Sequence, residues 1–110
     1  MTFKEIAEMI EDIGLPFTYY SWPEKAAPPL PYIVYYYPGT QNFPADNSVY
    51  VVNQTLNIEL YARAKDFDLE DAVETVLAAN QIVWDKTETY IDTEHMFEVL
   101  YEMEVIINGE

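Results

Sequence analysis

Residues 96–107 read MFEVLYEMEVII, and their alternation constrains the fold more than any other feature of the chain. Phe97, Val99, Tyr101, Met103, Val105 and Ile107 alternate with Glu98, Leu100, Glu102, Glu104 and Ile106. In a strand, successive side chains point to opposite faces, so a one-residue slip in pairing would bury three glutamates. A second long run behaves the same way. Tyr50, Val52, Leu56, Ile58 and Leu60 share one face, while Asn53, Thr55, Asn57 and Glu59 share the other. Two such strands require a sheet with one apolar face, and that face requires a covering layer.

Helical segments supply the cover. Thr2-Phe3-Lys4-Glu5 fits a capping box, and Phe3, Ile6, Ala7, Ile10 and Ile13 recur at helical spacing until Gly14 and Pro16 end the run. Asp68 is expected to cap a second helix, with Asp71 as its capping-box partner. Leu69, Ala72, Val73, Val76 and Leu77 form the buried stripe of that helix, and Asn80 is expected to terminate it in the left-handed conformation. Residues 17–22 read as a brief strand, and the proline-rich stretch 23–31 as a stiff connector. Tyr32–Tyr37 reads as a strand, 38–48 as a loop and 82–91 as a strand leading through a turn into 96–107. The expected fold is therefore a single α+β domain over residues 1–110. It is a two-layer structure with an antiparallel (mixed) sheet of about four to five strands and two helices packed on one face. The chain has 110 residues, half of them hydrophobic, enough for one core and too apolar for disorder.

Charge narrows the function classes. Twenty acids against five bases give −15, and the excess is lopsided: residues 66–110 hold thirteen of the acids and a single base, Lys86. Such a surface repels phosphate backbones and anionic lipid, so neither stable nucleic-acid binding nor membrane docking is expected. With no cysteine, thiolate metal sites, disulfides and cysteine nucleophiles are all ruled out. Ser21 and Ser48 lie in no nucleophile elbow, the sole histidine (His95) falls in a turn, and three glycines build no phosphate loop. The Asp66–Asp71 run departs from a calcium loop where glycine and a bidentate acid are required. No enzyme activity, cofactor or metal is expected. The opening residues MTFKEIAEM lack the basic-then-apolar order of a signal peptide, which points to assembly in a cytoplasm.

Ten tyrosines are the other excess, and consecutive Tyr35, Tyr36 and Tyr37 cannot all face one side of a strand. Tyrosine favours protein interfaces. Tyr36, Phe43, Asp46 and Tyr50 are therefore the expected subunit contacts, Phe43 as an apolar anchor in the 38–48 loop. The strand at 49–62 carries little to guard a sheet edge, which also favours association.

The run from residue 31 to 77, PYIVYYYPGTQNFPADNSVYVVNQTLNIELYARAKDFDLEDAVETVL, resembles a family of small phage and prophage structural proteins of long-tailed phages from Gram-positive hosts. The same holds for residues 82–105, IVWDKTETYIDTEHMFEVLYEMEV. Its element order is similar to that of the tail-terminator (tail-completion) proteins. That resemblance implies a virion subunit of the tail or neck that forms a hexameric ring. Such a ring caps the tail tube and joins it to the head–tail connector proteins. Adaptor and stopper subunits of the same connector share this size. In a ring, the acids Glu98, Glu102 and Glu104 are expected to face the channel, where they would keep passing DNA from adhering. The runner-up is an acidic DNA-mimic inhibitor of a DNA-binding protein, and a small enzyme is the third alternative.

Overall fold

In the computed structural model, which describes residues 1–42 and 52–108, each element has a local cause. The Thr2 hydroxyl accepts from the Glu5 amide and the Glu5 carboxylate accepts from the Thr2 amide, closing the expected capping box at the start of α1, Phe3–Glu11. Gly14, at φ +91°, turns the chain after it, a conformation that only glycine takes without strain. Helix α1 buries Ile6, Met9 and Ile10, and Ile13 is buried just beyond it, whereas Phe3 remains 45% exposed.

The strands are β1 (Phe17–Tyr19), β2 (Tyr32–Thr40), β3 (Val52–Ala62), β4 (Trp84–Ile91) and β5 (Met96–Ile107), in the sheet order β1-β2-β3-β5-β4. β5 keeps the single register its alternation allows: Val99, Tyr101, Met103, Val105 and Ile107 are buried, while Glu102, Glu104 and Ile106 are exposed. Helix α2, Phe67–Ala79, joins β3 to β4. Both strands are antiparallel to β5, which lies between them, so β3-α2-β4 is a split crossover with β5 returning into the gap. Residues of α1 (Ile6, Met9, Ile10) and α2 (Val73, Leu77) pack with Ile33, Tyr35, Leu56, Ile58 and Leu60 in one core. The fold is thus α+β in two layers, with a mixed five-stranded sheet.

Five local expectations need correction. Strand β1 runs parallel to β2, because residues 20–31 supply the roughly dozen residues that a parallel crossover needs. Strand β2 continues through Pro38 to Thr40 where a loop was expected. Its pairing with β3 shifts between Tyr36 and Gly39, around a proline that has no amide hydrogen for the ladder. The N-cap of α2 is Asp66, whose carboxylate accepts from the amides of Asp68 (3.0 Å) and Leu69 (3.1 Å), so Asp68 sits inside the first turn. At the other end Asn80 has φ −95° and its side-chain amide donates to the Val76 carbonyl, while Gln81 takes the left-handed turn at φ +59°. Finally, β3 is flanked by β2 and β5; the sheet edges are β1 and β4.

Candidate functional site

Residues alternating with the buried set project from the sheet face that the helices leave uncovered. Three rungs cross four strands there. Tyr32, Tyr61, Glu98 and Thr89 form the first, Val34, Glu59, Leu100 and Thr87 the second, and Tyr36, Asn57, Glu102 and Asp85 the third. Thr55 and Glu104 lie opposite each other one step further along. The connector 20–31 lays two aromatic rings against this surface, Trp22 edge-on to Tyr32 at 5.6 Å and Tyr20 edge-on to Tyr36 at 5.8 Å.

The fold thus brings Tyr36, Glu98, Glu102 and Glu104 to one face, but in different settings. Glu102 is exposed, and Glu104 accepts from the Asn53 amide at 2.6 Å. Glu98 is half-buried, with its Oε2 3.0 Å from the Tyr61 hydroxyl. The Tyr36 hydroxyl is engaged within the chain: it donates to Glu59 Oε2 at 3.3 Å and accepts from the Asn57 side-chain amide at 3.2 Å. Phe43, Asp46 and Tyr50 lie outside the described residues.

Glu59, Tyr61, Asn57 and Asp85 are the members of this surface that were not anticipated. The signal for Glu59 and Tyr61 was available, since they continue the polar face of β3 at a spacing of two. Burial pushes the Glu59 carboxyl above its ordinary range, the Tyr61 hydroxyl draws it back, and the Glu98 charge pushes it up again. Burial, Glu59 and Glu98 all raise the Tyr61 phenol. Among the described residues no lysine or arginine forms an ion pair with Glu59, Asp85, Glu98, Glu102 or Glu104. At the end of the face near Glu102 and Glu104, a groove of about 760 Å³ is lined also by Asp85, Val83 and Ile106.

The described lysine ion pairs lie on the helix side. Glu70 of α2 is 3% exposed and receives Lys65 at 2.6 Å and Lys86 at 3.1 Å; Lys86 also meets Glu74 at 2.8 Å, and Tyr101 donates to Glu74 at 2.9 Å. Lys65 continues to Glu88 on β4. Burial raises the Glu70 carboxyl, but the two lysines outweigh it and hold the group below the ordinary carboxylate range. This network ties α2 to β4 and β5. Tyr35 and Tyr37 also turn to the helix side, where Phe3 and Tyr19 pack against Tyr37 at 5.1 and 5.9 Å. Part of the tyrosine excess is therefore internal packing.

No group of three or more histidine or carboxylate side chains is placed to hold a metal ion among the described residues, and His95 is exposed in a left-handed turn after residues 92–94. No described helix is long and apolar enough to cross a membrane. No model of a known protein family matches the chain, and no curated protein matches it.

Proposed function

We propose that the chain is a non-enzymatic subunit of a phage virion. In this reading it is a tail-terminator or tail-completion protein that closes into a hexameric ring with copies of itself and contacts the tail tube and the head–tail connector. The observation that carries this reading is the helix-free face, where acids from three strands gather with no lysine or arginine ion pair among the described residues. A channel wall of this kind repels DNA phosphates, so a genome slides past rather than sticking. The element order supports the same family through its resemblance to terminator subunits. A ring needs two different complementary patches on each copy. The β1 and β4 edges lie at opposite ends of the sheet and supply two distinct surfaces.

Replacing Glu102 and Glu104 with lysine tests the wall. The expected outcome is intact particles whose DNA ejection is slowed or arrested. Ejection at the normal rate from such particles would overturn the channel assignment.

One observation favours the DNA-mimic alternative: Glu102 and Glu104 project from one strand face about 6.6 Å apart, as a short row of anions. A mimic would form a one-to-one complex with a basic DNA-binding protein, with a steep loss of affinity as salt rises. A terminator would self-associate, and added salt would favour that association by screening the −15 charge.

A further inference from the structure

The Tyr61 hydroxyl lies 2.8 Å from Glu59 Oε1 and 3.0 Å from Glu98 Oε2. A phenol has one proton to donate and otherwise only lone pairs. With both carboxyls ionised, one carboxylate oxygen must therefore face a lone pair at hydrogen-bond distance. The second oxygen of Glu59 is already committed to Tyr36, which the Asn57 amide orients. One added proton satisfies every contact in two equivalent ways. Either Glu98 donates to Tyr61 and Tyr61 to Glu59, or Glu59 donates to Tyr61 and Tyr61 to Glu98.

We propose that Glu59 and Glu98 hold one proton in common across the Tyr61 hydroxyl, and that its loss frees Glu98 from β3, making this face a pH-responsive surface.

The surroundings favour keeping that proton. On the first two rungs strand β2 presents Tyr32 and Val34 and β4 presents the uncharged Thr89 and Thr87; the third rung adds Tyr36 from β2 and the acid Asp85 from β4. The turn at residues 92–94 brings the Glu94 charge to bear on Tyr32, whose ring packs on Tyr61 at 5.4 Å. Along β5, Glu102 lies beyond Leu100 from Glu98. All these charges are negative, and both lysines placed in ion pairs are on the helix side. Burial of Glu59 acts in the same direction as the neighbouring acids. When the proton leaves, Glu98 is the member free to move, because Glu59 keeps two phenolic donors. The closed form, bridged from β3 to β5, belongs to mild acid, and the open form with an outward Glu98 carboxylate belongs to higher pH. The inference rests on these contacts alone and holds whether or not the chain forms a ring.

Carbon-detected NMR of the side-chain carboxyls, on the full chain from pH 3 to 8, tests it. The Glu59 carboxyl should titrate above the range of a free glutamate, and its curve should carry the second step that a proton shared with a neighbouring carboxyl imposes. In Glu98→Gln, Glu59 should titrate in a single step at lower pH than the upper step of the parent. A single-step Glu59 curve in the range of a free glutamate would overturn the proposal. So would a Glu59 curve left unchanged by Glu98→Gln, which would assign its shift to burial alone. The parent titration decides the matter by itself if the variant fails to fold.

Discussion

At the residue scale the chain carries two carboxyls whose environments pull in opposite directions, and this gives a signed prediction for stability against pH. Glu59 has a folded pKa raised above its ordinary 4.5, so its contribution is fully present below that value and is lost as pH rises through the folded pKa. Glu70 is depressed below 4.5 by Lys65 and Lys86, so its contribution is present above 4.5 and is lost as pH falls through the folded pKa. Acidification from neutral pH also removes part of the −15 self-repulsion. Urea unfolding followed across pH should therefore show stability rising from pH 7 toward about 4.5 and falling below it. A monotonic loss of stability from pH 7 downward would show that the Glu59 environment is misjudged. Neither partner set was legible in the sequence. Lys65 lies just before α2, but Lys86 is on β4, and only the split crossover brings it beside Glu70. Glu59 and Tyr61 were visible as polar-face neighbours, but the Glu98 contact requires the β3–β5 register.

At the element scale most of the architecture followed from periodicity, and the misses share a cause. The β5 alternation and the α1 capping box were legible because each is a strong local pattern with one physical solution. The start of α2 was not, because Asp66, Asp68 and Asp71 are all chemically able to cap and only the backbone of Asp66, extended at φ −138°, is placed to do so. This assignment has a direct check by thermal or urea unfolding. Asp66→Ala should cost about 1 kcal/mol, the usual loss for an N-cap, whereas Asp68→Ala should change stability by no more than about 0.5 kcal/mol. Equal losses from the two would contradict the assignment. The parallel β1–β2 pairing was not legible for a different reason. A proline-rich connector is recognisable as extended, but its composition does not say whether it reverses the chain or carries it across to a parallel neighbour. Likewise, the edge position assigned to 49–62 ignored the possibility that β5 returns beside β3, which is a non-local event.

At the scale of the whole molecule, charge is sorted by face. The described lysine–acid pairs fasten α2 to the sheet, and among the described residues the acids of the opposite face form no lysine or arginine ion pair. The sequence showed the excess and its C-terminal weighting, yet it did not show that acids from β3, β4 and β5 meet on one surface, because that depends on strand order. Six copies bringing −15 each would repel strongly at low ionic strength, and a screening length of roughly 10 Å at 0.1 M salt would relieve much of it. The most direct test of the ring assignment is therefore the absolute mass in solution by light scattering, from micromolar to near-millimolar protein at low and high salt. The account predicts growth with concentration and salt to a plateau at six subunits. A single-subunit mass under every condition, or a series of masses that never closes, would contradict it.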